Sequence, residues 1–462
     1  MHSKAGRATN EKNAAIQGET RRTFVKKMAA GSAAFAAGVP VAAAPLQTAK
    51  SYSRIAGANN RVQVGFLGTG RMSRNHLRNL LSDHPGRADV VAFCDVYQKN
   101  LDFAKQQVPD AATFHKHEDL LALPGVDAVV VGSPDHWHAL HAIHACEAGK
   151  DVYVEKPISI SVGEGRKMVA ATKAHNRIVQ VGTQQRSNEV FIAAKDLIQG
   201  GKIGDVTFVR TWNYGNNYPN GIGNPADAAP FEGLDWDRWL GPAPLVPFNE
   251  NRFGAIQDEA YTYKRFSSFR WFWDYAGGMM TDWGVHLLDI VLWVMRQQYP
   301  NTVTASGGKY LLEDNRETPD TLQATFQFDK FTCTYENRTT NGRRLEDMGY
   351  GIAFHGSKGT LVVNRSELFV YPEGDGRPTR RQNRTGGSHS RHIGNFLECV
   401  VSRATPTCDI ETGHRSTSIA ILGNLAYRTG QQVNWDGEQE RISGNDVADR
   451  MLQPAYREPW SI

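Results

Sequence analysis

Residues 62–73, VQVGFLGTGRMS, constrain this chain more than any other stretch. Val62, Val64, Phe66 and Leu67 form an apolar, β-prone run that reads as a buried strand. Gly68-Thr69-Gly70 then turns the chain sharply, and from Met72 onward His76, Leu77 and Leu80 fall at helical spacing. Strand, glycine turn and helix N-terminus together cradle a pyrophosphate. The first glycine makes the turn, the second lets the phosphate approach the backbone, and the helix end offers free N–H groups and the positive end of its dipole. Ser73 stands where that fingerprint has its third glycine. A second apolar strand, 90–94, ends in Asp95, placed to accept hydrogen bonds from adenosine ribose hydroxyls and to repel a 2′-phosphate. NAD is therefore expected rather than NADP. Gly68, Thr69, Gly70, Arg71, Met72 and Asp95 are the first cofactor-binding candidates.

The alternation continues. Helices are expected at 100–108, 118–123, 138–148 and 163–175, between strands at 113–114, 126–132, 151–154 and 177–181. This is the pattern of a parallel sheet covered on both faces, which binds ligands beyond the carboxyl ends of its strands. Two more strand ends thus become candidates: Ser133-Pro134-Asp135-His136-Trp137-His138 and Glu155-Lys156-Pro157. From these, Ser133, Pro134, His136, Trp137, His138, Glu155 and Lys156, with Gln185 further on, are expected on the cofactor. Core packing explains Trp137 and His138 equally well.

After residue 181 the pattern changes. A helix at 190–199 and a strand at 203–210 precede a long Asn-, Gly-, Pro- and aromatic-rich segment, 213–248, which reads as a lid or an oligomer arm. Strand patterns at 302–312, 321–328, 331–338, 351–354, 360–364 and 367–371 predict one large, mostly antiparallel sheet, followed by helices at 392–402 and 412–429. The fold class is α/β: an N-terminal Rossmann parallel sheet over 61–182, then an α+β domain with a large open sheet over 183–430, and a tail, 431–462.

The N-terminus reads as a targeting segment. Thr20-Arg21-Arg22-Thr23-Phe24 precedes a mild Ala/Gly-rich apolar run, 28–44, as in a twin-arginine export signal, with 45–60 as linker. Seven lysines and arginines against two glutamates lie in 1–44, so the formal net charge of +4 resides wholly there and the remainder carries −1. The remainder gives no case for nucleic-acid binding. Five scattered cysteines, none in C-x-x-C spacing, predict buried thiols and neither a zinc site nor a disulfide framework.

The second decisive stretch is 277–289, GGMMTDWGVHLLD. Read as a helix from about Met279, it brings Asp282, His286 and Asp289 to one face, where a carboxylate can orient an imidazole and stabilise its protonated form. A capped helix end with one core histidine has the same spacing. Lys156, at a strand end, can hold a substrate hydroxyl and steady a developing alkoxide; an ion pair with Glu155 is the alternative.

Together these motifs resemble the glucose–fructose oxidoreductase/inositol dehydrogenase (Gfo/Idh/MocA) family. The match comprises the glycine turn, Asp95, residues 133–136, Glu155-Lys156-Pro157, Gly277-Gly278 with Asp282, His286 and Asp289, and the late segment 356–360. The resemblance implies hydride transfer from a sugar or cyclitol hydroxyl to NAD(P), with His286 as general base, Asp282 tuning it and Lys156 holding the reacting oxygen. It also implies a cis proline after Lys156 and a homo-oligomer built on the open sheet. Arg186, Tyr214, Trp273 and Asp289, and with them Trp212, Trp271, His389 and His392, are candidates to line a sugar cleft.

Export adds a requirement. Outside the cytoplasm no obvious NAD pool recycles the cofactor, so NAD should be held tightly, loaded before passage through the twin-arginine translocase, and regenerated in the cycle. An exported sugar oxidoreductase satisfies this. So does a redox-neutral glycosidase that oxidises, eliminates, hydrates and reduces in turn, the chemistry of some exported relatives in the family, the NAD-dependent α-N-acetylgalactosaminidases. A non-catalytic dinucleotide- or sugar-binding protein is the third reading. The expected ligand is a small carbohydrate or glycoside.

Overall fold

The computed structural model describes residues 61–254, 268–383, 386–453 and 455–462. The expected export signal and linker, 1–60, lie outside the described residues. Strands β1 (Val62–Leu67), β2 (Ala88–Cys94), β3 (Ala112–Phe114), β4 (Ala128–Val131), β5 (Asp151–Val154) and β6 (Val179–Val181) form a sheet of order β3-β2-β1-β4-β5-β6. Every pairing in it is parallel. This is the dinucleotide-binding order, with the strand sequence reversing between β1 and β4. The apolar runs explain why: all four residues of β4 are buried, as a strand covered on both faces requires.

One face of the sheet is covered by helices Arg71–Asp83 and Gln98–Gln107 through Leu77, Leu80, Leu101 and Ala104. The same layer takes in Ile393, Phe396 and Leu397 of helix Ser388–Ser402, so the chain returns to the nucleotide-binding half. The opposite face is covered by helices His138–Glu147 and Val162–Ala174. The second of these opens on a capping box, Ser161 with Glu164, which satisfies two otherwise orphaned N–H groups.

Among the described residues, the second sheet has ten strands. β7 (Val206–Tyr214), β8 (Thr302–Gly308), β9 (Thr321–Gln327), β10 (Thr332–Arg338), β11 (Tyr350–Gly356), β12 (Gly359–Val363), β13 (Glu367–Pro372), β14 (Arg380–Asn383), β15 (Val433–Asp436) and β16 (Arg441–Ser443) run in the order β14-β13-β12-β11-β7-β10-β9-β8-β15-β16. Only β7 and β10 pair parallel. The alternation is plain in β9, where Leu322, Ala324 and Phe326 are buried and Gln323 and Gln327 exposed. The inward face packs on helices Glu189–Gln199, Val285–Met295 and Ile410–Thr429.

Two expectations need correction. Residues 431–462 are no tail: β15 and β16 extend the large sheet, and helix Asp446–Arg450 packs beside them. Hydrophobic residues of this segment, Val433, Trp435, Ile442 and Leu452, belong to the core. The helix expected from Met279 begins as a π-helical turn, Met280–Gly284, before Val285–Met295 continues as α-helix. The helical-face argument assumed 3.6 residues per turn, which does not hold across that turn.

Candidate functional site

The turn after β1 is built as its glycines demand. Gly68 has φ +83°, and a Cβ there would sit 2.7 Å from the Ser133 backbone nitrogen. A Cβ on Gly70 would meet nothing within 4 Å, so this residue faces open space at the N-terminus of helix Arg71–Asp83. Ser73 does not break the motif. It is buried, and a Cβ on Gly132 would collide with its hydroxyl, so the close helix–strand approach uses a glycine on the strand side.

Asp95 has a different first task from the one expected. Its Oδ2 accepts from the Thr69 backbone N–H at 2.7 Å, Thr69 Oγ1 at 3.0 Å and Asn100 Nδ2 at 3.3 Å, and its Oδ1 accepts from the Tyr97 N–H at 2.9 Å. It locks the glycine turn to the end of β2. Burial pushes its carboxyl upward against these hydrogen bonds. Thr69 is thus a buried buttress and not part of the cleft lining.

A cleft of about 1070 Å³, its open mouth included, runs along these strand ends. Of the expected cofactor residues, Gly68, Gly70, Arg71, Met72, Asp95, Ser133, Pro134, Trp137, His138, Glu155 and Lys156 line it. His136 and Gln185 do not. His136 is buried, its Nε2 3.0 Å from the Trp239 carbonyl, and Gln185 is buried between His286 and Arg365. The opposite wall comes from the other half of the chain: Arg238 and Trp239 from the 213–248 segment, then Phe253, Phe269 and Arg270. The C-terminal part of that segment is packed into the fold. Its Leu234, Trp236, Trp239, Leu240 and Phe248 pack with Tyr97 into an aromatic cluster.

At the inner end of the cleft, Glu155 is buried with its Oε1 2.6 Å from His76 Nε2. Despite burial, that partner holds the Glu155 carboxyl down at about 2. The Lys156–Pro157 bond is cis. Lys156 Nζ donates to Asp282 Oδ1 at 2.7 Å and to the Asp282 carbonyl at 2.9 Å. Arg270 Nε donates to the same Oδ1 at 3.0 Å. Against the cost of burial, Lys156 and Arg270 hold the Asp282 carboxyl far below the usual range.

Asp282 therefore orients Lys156 and Arg270, not His286 as the helical spacing suggested. The His286 ring, 5% exposed, has its Nδ1 buried without a partner among the described residues. Burial first, then Lys156, Arg365, His389 and Arg270, push its pKa well below 6.5. It is a neutral imidazole at neutral pH, able to accept a proton. Asp135 also borders the cleft. It is buried with Oδ2 unpartnered among the described residues, and burial raises its pKa.

The expected sugar-cleft residues divide. Arg186 and Asp289 are a buried ion pair, Nη2 to Oδ1 2.8 Å, with Ser416 Oγ donating to the same oxygen at 2.6 Å. They cross-link helices of the second half and are not available to a ligand. Tyr214 donates its hydroxyl to Glu336 at 2.7 Å, from the outward side of β7. Trp273 packs against Tyr427 and beneath Arg428 in a separate depression. Trp212 is fully buried, Trp271 lies under Arg316, and His392 is buried against Ser187 and the Val181 carbonyl. His389 alone of this group bears on His286. Sequence reasoning missed Arg270, Arg238, Trp239 and Arg365. Arg270 lies in a segment, SFRW, with no motif of its own, and only the tertiary fold brings it to Asp282.

The cleft suits a dinucleotide. Open space at Gly70, at the N-terminus of helix Arg71–Asp83, and the Asp135 Oδ2, unpartnered among the described residues, meet the needs of a pyrophosphate and ribose ligand. Residues 62–183 match the model of an oxidoreductase family with an NAD-binding Rossmann fold, and 211–462 match the same family's C-terminal alpha/beta domain. Inositol 2-dehydrogenase 1 of Saccharopolyspora erythraea is 38% identical over 150 residues, 32% of this chain and 44% of the relative. Inositol 2-dehydrogenase of Gluconacetobacter diazotrophicus is 33% identical over 183 residues, 38% of this chain and 53% of the relative. The chain thus spans about half the length of these curated relatives. In fold, it is similar to the WlbA dehydrogenase of Bordetella pertussis, solved with NADH and UDP-GlcNAcA (TM-score 0.61, 21% identity, 81% of this chain, 99% of that one). It is also similar to levoglucosan dehydrogenase with NADH (TM-score 0.62, 17% identity, 81% and 99%). With both family models matched in order over nearly all the described residues, the chain belongs to the Gfo/Idh/MocA oxidoreductase family and its residues 62–183 are that family's NAD-binding domain.

Proposed function

We propose that this protein is an exported oxidoreductase that oxidises a ring hydroxyl of a carbohydrate or cyclitol and keeps its NAD tightly bound. The observation that carries the reading is the pairing of Lys156, aimed by Asp282, with a neutral buried His286 beside the nucleotide cleft. Lys156 Nζ holds the hydroxyl oxygen and steadies the negative charge that grows on it. The hydroxyl proton passes to the His286 imidazole as the carbinol carbon gives up its hydride. Bound NAD supplies the hydride acceptor. Arg270 and Lys156 share Asp282, which fixes the ammonium rather than the His286 imidazole. Among the curated relatives, inositol 2-dehydrogenases favour the same substrate class.

Tight binding is supported by how one wall of the cleft is held in place. Arg457 ties residues 237–243 down: its Nη1 donates to Asp237 at 2.7 Å and its Nε to the Gly241 and Ala243 carbonyls at 3.1 Å. Trp460 packs edge-on to the cleft residue Trp137, centroids 4.8 Å apart. Tyr456 donates to Glu164 at 2.6 Å and anchors the segment to the nucleotide-binding half. Purified protein with no cofactor added should show a reduced-nicotinamide band on mixing with its sugar, cleared by a carbonyl acceptor. Arg457→Ala should lose NAD on gel filtration several times faster than the wild type. Aglycone release from aryl glycosides without a lasting band would instead support redox-neutral hydrolysis. An absence of dinucleotide from a denatured extract would refute tight retention.

Export is supported by Arg21-Arg22 ahead of the apolar run 28–44. Arg21-Arg22→Lys-Lys is expected to leave precursor in the cytoplasm, read by cell fractionation; unchanged export would end this part of the reading. A homo-oligomer is proposed to use the outward face of the ten-stranded sheet, where, among the described residues, Phe369 and Tyr371 pack only with the small cluster around Trp212.

A further inference from the structure

We propose that a second depression, separate from the nucleotide cleft, binds a small polyhydroxylated anion, and that Arg428 holds its charged end. The depression measures about 1080 Å³ with its open mouth. It lies at the end of helix Ile410–Thr429, between Ile160-Ser161 of the nucleotide-binding half, Pro242-Ala243-Pro244 and the C-terminal residues 447–456. A smaller recess of about 430 Å³ adjoins it, since Ile160, Trp273, Arg428 and Met451 line both. The recess reaches Pro157 and Thr281, the chain neighbours of Lys156 and Asp282. No residue of either lines the nucleotide cleft.

Charge points to an anion. The Arg428 guanidinium lies 4.8 Å over the Trp273 ring, and among the described residues it makes no hydrogen bond or ion pair. The acids that act on it, Asp274 and Glu317, are both engaged by Arg252, at 3.8 Å and 3.2 Å. Glu317 also accepts from the Trp273 backbone N–H at 2.8 Å. Arg450 brings a second exposed guanidinium to the lining, and its neighbour Asp449 is held by Arg441 at 2.6 Å. The other titratable groups of the lining add no charge: burial lowers His136 to about 3, and Tyr456 donates its hydroxyl to Glu164. Asp274 thus stands alone in the lining against two guanidinium groups, whose planar forks suit an oxyanion.

The recess adds a need for hydroxyls. Asn424 Nδ2 donates to the Gly277 carbonyl at 2.9 Å. Its Oδ1 and the Ser159 Oγ are buried without a partner among the described residues, and both residues line the recess. Buried polar atoms left unpaired are costly, and ligand hydroxyls would pair them. Pro242, Pro244, Val447 and Met451 offer the apolar wall that the C–H face of a sugar ring requires. A sugar acid or sugar phosphate meets all three demands; a bare ion or a neutral sugar meets only part of them.

The site is independent of the oxidation reading and stands or falls without it. The test titrates the purified full chain, with whatever cofactor it carries, by calorimetry against glucuronate, glucose 6-phosphate, glucose and inorganic phosphate. A sugar anion should bind once per chain and about 10- to 100-fold more tightly than glucose, the worth of one charge-assisted contact. Whichever anion binds more tightly identifies the oxyanion as carboxylate or phosphate. Arg428→Gln should collapse the preference over glucose, and Arg428→Lys should restore part of it. Arg450→Gln, at an exposed position, should reduce it by a smaller factor. Lys156→Ala, in the catalytic cleft, should leave it unchanged. No binding by either sugar anion, glucose binding as tightly, or a preference unmoved by Arg428→Gln would overturn the proposal. Inorganic phosphate binding as tightly as the sugar anions would mean an adventitious ion only. Loss of binding in Lys156→Ala would place the anion in the catalytic cleft and remove the second site.

Discussion

Lys156→Ala is expected to lower kcat by about 10²- to 10³-fold, the usual cost of removing one donor aimed at a developing oxyanion. Lys156 can be this donor because it is placed, not merely charged. Its side chain is 10% exposed and held by both the carboxylate and the carbonyl of Asp282. Its neighbour Glu155 turns the other way, onto His76, so the alternative Glu155–Lys156 ion pair is not formed. The variant should retain its NAD, since the glycine turn and Asp95 are untouched. Dinucleotide content in a denatured extract, measured beside single-turnover reduction, separates lost chemistry from lost cofactor. Full activity on a confirmed substrate would remove Lys156 from the mechanism.

His286→Asn should cost about 10²- to 10⁴-fold in kcat, the range for a general base. The pH profile distinguishes this role from packing. Burial and then the surrounding cations push the His286 pKa down, so the active, neutral form persists as pH falls past 6.5. Activity should therefore be level through the ordinary histidine range and fall on its acid side only below it, as the imidazole becomes protonated. His286→Asn should lose that acid limb along with the rate. A wild-type limb centred at 6.5 would contradict the buried, cation-flanked environment. An acid limb unchanged in His286→Asn would place the base elsewhere.

The nucleotide-binding half was legible because its signals are local. A strand of apolar residues, a turn that only glycine fits and a helix behind it lie within a dozen residues, and Gly68 at φ +83° is where the sequence demanded it. The large sheet was legible by alternation, as in β9. Lys156 and His286 were nominated from strand-end and helix positions. Their partners were not. Asp282 was assigned to His286 from a spacing that assumed α-helix, but the π-helical turn gives it to Lys156 and Arg270. Arg186 and Asp289 looked like ligand groups because charge in a sequence carries no record of what neutralises it.

The sequence alone determined the order of elements, the pyrophosphate turn and the chemical types at the strand ends, since these depend on residues close in the chain. Only the tertiary structure decided which charges meet. The Asp282–Lys156 contact spans 126 residues and the Arg365–Gln185 contact 180. Pairing at such separations follows from how two sheets and their helices pack, and a buried carboxylate takes whichever cation that packing delivers.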